Sequence, residues 1–271
     1  MVAEISPPMS VVNIQLNLKQ KINIKGTDIR GCSLLPDGRM VFSCNSSNTV
    51  RFISKDGVEL FQISKDKTGS CTYDTVYIKD TNSVAVSSGG GVNRCITIID
   101  IKSQVVMTTT SMATYIYGMA VRGRTIYYSA RDKGLKMLNL SDRSVSDIIS
   151  SSMSGVDYVA TSGDKHYYTN TNTVTCCDLH GTIQWEFKDN RVLPFPRGIS
   201  VDNDGNVYVV GYISSNVVVI SPDGKRHRQL LSSMDGLSCP IVLDYDKSDN
   251  RLLVVNHQGS TAFLFDVTRG Q

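Results

Sequence analysis

The stretch SSNTVRFISKDG, Ser46 to Gly57, returns as SSNVVVISPDG, Ser214 to Gly224. The two copies start 168 residues apart, which is four intervals of 42. Each holds a polar Ser-Ser-Asn loop, a β-branched run and an Asp-Gly turn, the local spelling of one strand and the hairpin after it. Upstream, GCSLLPDGRMVFS (Gly31 to Ser43) parallels GISVDNDGNVYVV (Gly198 to Val210). The repeating unit is therefore strand, Asp-Gly turn, strand, Ser-Asn loop, strand, Asp-Gly turn, strand.

On that template the first strand of each unit falls at RGCSL (Arg30), DTVYI (Asp74), YGMAV (Tyr117), DYVAT (Asp157), RGISV (Arg197) and PIVLD (Pro240), at intervals of 44, 43, 40, 40 and 43 residues. Six units of this length predict an all-β, six-bladed β-propeller of four-stranded antiparallel blades. A chain of 271 residues with 41% apolar and seven proline residues fits one closed β domain spanning 1–271. No helical period of useful length interrupts it.

The last unit, PIVLDY, RLLVVN and AFLFDV, stops one strand short. VVNIQLNLKQKINIK, Val11 to Lys25, alternates in the manner of a strand and has no other place in the repeat. It is expected to dock outside AFLFDV as a latch, completing blade 6 and closing the ring, with residues 1–10 flexible.

Lys and Arg number 28 against 25 Asp and Glu, a net charge of +3, so the surface is mixed rather than polycationic. The seven cysteines lack a CxxC pair or a His at ligand spacing and read as reduced, largely core thiols, which points to the cytoplasm. No run reaches membrane-span length, so no membrane partner is expected.

The segment FPRGISVDNDGNVYVVGYISSNVVVISPDGK, Phe195 to Lys225, resembles an NHL repeat, whose pattern runs Pro-x-Gly-Ile-x-Val-Asp-x-x-Gly-x-Val-Tyr-Val and ends in an Asp-Gly turn. The unit IRGCSLLPDGRMVFSCNSSNTVRFISKDG follows the same pattern more loosely, and Ser43-Cys44 and Val210-Gly211 stand where the family often has Asp. The resemblance implies a propeller like those closing tripartite-motif proteins, where the domain recruits a protein or an RNA. The RING, B-box and coiled coil of such proteins have no counterpart here, since the chain has no Cys/His zinc array and no heptad run.

The starts of the inner strands, Arg30, Asp74, Tyr117, Asp157, Arg197 and Pro240, are expected to ring one mouth of the channel. Glycines at 31, 118 and 198 suit inner strands that crowd toward the axis. The alternation of Arg30 with Asp74 and of Asp157 with Arg197 reads either as inter-blade ion pairs or as a polar mouth whose guanidinium forks take a partner's carboxylate or phosphate. Loops on the same face add Arg131, Lys133, Tyr212 and His257. The expected function is non-catalytic recognition of a protein partner through this face; single-stranded or structured RNA is the alternative, held by Arg131, Lys133, Arg191 and Arg197.

Enzymatic readings have less behind them. Asp74, Asp157, Asn256 and His257 could hold calcium, but Arg30 and Arg197 occupy equivalent ring positions and oppose a divalent ion. Neither a nucleophile-His-acid spacing nor a phosphate loop in its strand-to-helix setting is present. No cofactor and no small-molecule substrate is expected.

Overall fold

A computed structural model describes residues 10–64, 71–89, 93–150, 158–257 and 259–270. Six four-stranded antiparallel sheets follow one another along the chain. Blade 1 comprises β2 (Ile29–Leu34), β3 (Met40–Cys44), β4 (Thr49–Ile53) and β5 (Glu59–Ile63); blade 2 comprises β6 (Thr72–Ile78), β7 (Ser83–Ser88), β8 (Cys95–Asp100) and β9 (Val105–Ser111). Blade 3 is β10 (Met119–Arg122), β11 (Thr125–Ser129), β12 (Leu135–Asn139) and β13 (Val145–Ile149), and blade 4 is β14 (Val159–Ser162), β15 (Lys165–Thr169), β16 (Val174–Asp178) and β17 (Ile183–Phe187). Blade 5 holds β18 (Pro196–Val201), β19 (Val207–Gly211), β20 (Asn216–Ile220) and β21 (His227–Leu231). Blade 6 holds β22 (Pro240–Asp246), β23 (Arg251–Asn256), β24 (Thr261–Arg269) and, from the other end of the chain, β1 (Ile14–Asn23). The protein is a six-bladed propeller, and residues 1–9, expected to be flexible, lie outside the described part.

The latch forms as expected. β1 runs antiparallel to β24 from Ile14 opposite Arg269 to Asn23 opposite Thr261, with a bulge between Leu18 and Gln20 that switches the faces of the strand, so that Ile14 joins the apolar cluster of Phe263 and Phe265 and Ile22 joins that of Ala262 and Leu264 on the other side of the blade. The inner strands touch all the way round the ring, β2–β6–β10–β14–β18–β22 and back to β2.

Strand burial follows position in the blade. β3, β19 and β20 are buried at every residue because neighbouring blades cover both faces, which is why they read as unbroken apolar runs. Outer strands such as β9 and β21 alternate, with one face in water. Cys32, Cys44, Cys95, Cys176 and Cys177 are buried and none of the seven cysteines forms a disulfide; burial pushes the Cys177 thiol up to about 12.

Blades are pinned to one another by short side chains. Ser87 Oγ donates to the Tyr117 carbonyl at 2.9 Å and Ser33 Oγ to the Thr75 carbonyl at 2.8 Å, while Ser200 Oγ accepts from the Tyr245 N–H at 3.1 Å. Two inner-strand glycines let neighbouring blades approach closely. A Cβ on Gly198 would stand 2.5 Å from Val242 Cα, and one on Gly31 would stand 2.6 Å from Asp74 Cα. Because both obstacles are backbone, Gly198→Ala is expected to cost about 1–3 kcal/mol or more. Urea denaturation reads this directly, and an unchanged midpoint would mean that blades 5 and 6 do not pack this way.

Candidate functional site

In each blade the antiparallel meander returns the chain to the same face at the second-to-third strand loop and at the start of the next inner strand. Arg30, Tyr117, Arg197, Tyr212, His257, Arg131 and Lys133 all stand on this face. Asp157 lies outside the described residues.

The centre of the face is aromatic. Tyr73 meets Tyr117 edge-on with ring centroids 4.8 Å apart and Tyr158 at 5.8 Å, so three rings from blades 2, 3 and 4 roof the channel. Tyr158 Oη donates to the Arg30 carbonyl at 2.7 Å, bracing the roof against blade 1 on the opposite side of the ring. Outward from Tyr117, the Tyr115 ring stacks at 6.2 Å and lies under two guanidinium groups, Arg94 at 3.8 Å and Arg131 at 5.1 Å. Arg131 is exposed, at a φ of 54°, on a short 3-10 turn that also carries the exposed Lys133.

On the other side of the axis a cleft of about 720 Å³ opens between blades 5, 6 and 1, with Asp28, Arg30, Tyr212 and His257 among its walls. Arg30 donates its Nε–H to Asp28 at 2.6 Å, and His257 Nδ1 stands 3.4 Å from the same carboxylate. Burial holds the His257 imidazole below its ordinary pKa, and the nearby Arg30 and Arg197 add to this against the opposing pull of Asp28. His257 is therefore neutral at pH 7. The Tyr212 ring packs 5.8 Å from the His257 ring.

Asp74 departs from its expected place. It is not at the mouth and does not pair with Arg30: it is 5% exposed, its Oδ1 accepts from its neighbour's N–H on Thr75 at 2.8 Å, and its Oδ2 accepts from Met119 N–H of blade 3 at 2.7 Å. The missing Cβ of Gly31 makes the space that Asp74 occupies, and Tyr73 takes the mouth position, with Arg30 5.9 Å from its ring. Arg30 turns instead to Asp28 of its own blade.

Below the tyrosine roof the channel is a cavity of about 300 Å³ whose walls include Cys32, Asp74, Asp244 and Lys247. Asp244 repeats the device of Asp74, accepting from Leu34 N–H across the blade 6–blade 1 seam at 2.8 Å. Burial raises both carboxyls, Asp74 to about 8 and Asp244 to about 6; the backbone donors oppose this, and Asp244 pushes Asp74 further up. Lys247 donates to Ser162 Oγ at 2.9 Å at the far end of the channel, its own pKa lowered by burial. Among the described residues no group of three or more His, Cys, Asp or Glu side chains is arranged to hold a metal ion.

The comparisons with known proteins bear on the fold. The family model that matches is SBBP, a β-propeller repeat, over residues 190–217, the segment that carries the most legible copy of the unit. A search of curated proteins gives no match. Among solved structures, a protein of unknown function from Bacteroides thetaiotaomicron superposes with a TM-score of 0.74 at 14% identity, over 94% of this chain and 76% of that one. A streptogramin B lyase gives 0.66 at 13% identity, over 96% of this chain and 100% of that one. Virginiamycin B lyase from Staphylococcus aureus gives 0.65 at 15% identity, over 91% and 83%. The likeness is one of fold. No helix among the described residues is long and apolar enough to cross a membrane.

Several of these residues were not singled out from the sequence. Tyr73, Tyr115, Tyr158 and Arg94 form the aromatic and cationic centre, and Asp28 organises the cleft. Their only sequence signal is a tyrosine at or near the start of three successive inner strands, in TYDTV, TYIYG and DYVAT.

Proposed function

We propose that this propeller is a non-catalytic recognition module that binds a protein partner on the face carrying the tyrosine roof, as an NHL-type domain of a cytoplasmic protein with tripartite-motif relatives would. The observation that carries this reading is the chain of Tyr and Arg side chains that runs across three blades, from Arg131 and Arg94 through Tyr115, Tyr117 and Tyr73 to Arg30. Tyr and Arg dominate the energetics of protein interfaces, and here they sit on a closed scaffold that needs little ordering to bind.

RNA recognition is the second reading, favoured by the exposed Arg131 over Tyr115, whose ring and that of Tyr117 could stack bases, with Lys133 and Arg191 exposed elsewhere on the same face. A lyase-like activity has less support: His257 faces Asp28 at 3.4 Å, but no second acid or base joins them among the described residues.

The test compares the wild-type chain with Arg30→Glu/Arg197→Glu in two assays. One selects binders from a displayed library of protein fragments of the source organism; the other measures anisotropy of a degenerate single-stranded RNA pool at low and physiological salt. The protein reading expects binders that the double variant loses at least about tenfold, the loss of a charged contact. RNA binding with a linear log–log salt slope, abolished in the same variant, would replace it. Binders that the variant retains in full would show that another face is used.

A further inference from the structure

Among the described residues, the large apolar side chains exposed on the recognition face fall in one sector. Phe195 is 38% exposed, Ile213 59% and Met234 96%, and they stand on the three loops of blade 5 that reach this face: before β18, between β19 and β20, and after β21. Backbone contacts knit these loops to the cleft. Tyr212 N–H donates to the Phe195 carbonyl at 3.2 Å, Cys239 N–H to Ser215 Oγ at 3.1 Å, and His257 N–H to the Cys239 carbonyl at 3.1 Å.

The exposure of Met234 is built in. Its N–H donates to Ser232 Oγ at 3.2 Å, and the Asp235 carboxylate accepts from Ser232 N–H at 2.8 Å, a capping box that locks the 3-10 turn Ser233–Asp235. A methionine held in one place with its side chain in water contributes nothing to the core. Clustered with Ile213 and Phe195, it has the character of a contact surface, and Met adapts readily to the shape of what it meets.

Next to this patch lies the cleft that holds Arg30, Tyr212 and His257. Arg30 spends its Nε–H on Asp28, which is one of the five N–H donors of a guanidinium. Arg30 of blade 1 lines the cleft, and Arg197, at the start of the inner strand of blade 5, stands on the same face. The chemistry that matches a guanidinium, an imidazole and a tyrosine beside three apolar knobs is a carboxylate flanked by apolar side chains.

We propose that the sector formed by blades 5, 6 and 1 binds an extended peptide segment of a partner protein, in which an Asp or Glu side chain enters the cleft to meet Arg30 while flanking apolar side chains pack on Phe195, Ile213 and Met234. The proposal rests on the protein-recognition reading and narrows it to a sequence class. Ile213 and Met234 offer an RNA neither a stacking plane nor a phosphate donor, which favours the peptide.

The test is selection of the full chain against a phage-displayed library of random dodecapeptides. Enriched peptides are then synthesised and measured against the wild type, Arg30→Ala, Met234→Ser, Ile213→Ser and the double variant Arg30→Glu/Arg197→Glu. The cleft and patch predict enrichment of Asp or Glu bracketed by Leu, Ile, Met or Phe, with affinity falling about tenfold or more in Arg30→Ala and severalfold in Met234→Ser. The Met234 variant, altered only at a solvent-exposed side chain, keeps the test sound if Arg30→Ala unfolds. Enriched peptides without acidic residues that still lose binding in Arg30→Glu/Arg197→Glu would overturn this inference while leaving protein recognition by the face intact. Peptides that bind all variants alike, or no enrichment at all, would overturn both.

Discussion

Removal of Val11 to Lys25 leaves the protein insoluble or lowers its melting temperature by at least about 12 °C. The segment buries Val11, Ile14, Ile22 and Ile24, each 5% exposed or less, in the apolar clusters that join blade 6 to its neighbours. Fully burying a side chain of this size is worth about 1.5–3 kcal/mol, so four of them supply on the order of 6 kcal/mol or more, against a total stability of about 5–15 kcal/mol. At about 2–4 °C per kcal/mol for a chain of this size, the shift is large enough to see in any thermal scan. Loss of β1 also uncovers the whole edge of β24, a nine-residue strand with Phe263 and Phe265 along it, as a template for intermolecular pairing. The measurement is the soluble fraction and thermal unfolding of the truncated chain beside the full one. A melting curve that does not move would mean the ring is held shut by blade-to-blade packing alone.

Between pH 6.5 and 8 the protein loses stability as pH rises, and Asp74→Asn abolishes the loss. Asp74 keeps its proton in the folded state up to about 8, while an unfolded aspartate releases it near 3.9. A group whose folded pKa lies above its unfolded value contributes stability that is full below the unfolded pKa and is gone once pH passes the folded one. Asp244, raised to about 6, acts in the same direction over a lower window. Below pH 6.5 His166 works against both, because burial beside Tyr127 pushes its pKa down to about 4, and stability from a depressed histidine is lost as pH falls. Above 6.5 the Asp74 slope stands clear. Over this interval it amounts to about 2 kcal/mol, or roughly 4–8 °C in melting temperature. The check is the melting temperature of wild type and Asp74→Asn at pH 6.5 and 8.0. A wild-type value that holds or rises across the window, or a variant with the same slope, would show that the channel carboxyl is ionised throughout, kept so by the Met119 and Thr75 N–H groups.

The two legible copies of the unit, in blades 1 and 5, are enough to establish the period, and the period with its strand-turn spelling led to six blades and to the latch. This much is local chemistry: Asp-Gly turns and β-branched runs mean the same thing wherever they occur. The mouth was only partly legible. Arg30, Tyr117, Arg197, Tyr212 and His257 reach the face on which their positions in the repeat place them, whereas Asp74 does not.

The reason lies at the start of the inner strands. Pairing with the second strand slips between Ile29 and Gly31, between Thr72 and Thr75, between Pro196 and Ile199, and between Pro240 and Val242. Each slip is a bulge that re-aims the side chains around it, so a period-two reading carried through it assigns the wrong residue to the mouth. In blade 2 the consequence is that Tyr73 joins the roof and Asp74 turns into the channel. The grouping of Phe195, Ile213 and Met234, 18 and 21 residues apart in the chain, is likewise a product of the blade, which folds three separate loops onto one edge of one face. The sequence by itself determined the repeat and its number, because these follow from interactions between near neighbours along the chain, and it determined the closure because the unit short of a strand and the strand without a unit stand at opposite ends of the chain. Which side chains meet at the axis was decided only by the ring, where a missing Cβ at Gly31 and a bulge in the strand beside it select tyrosine for the roof and aspartate for the cavity beneath it.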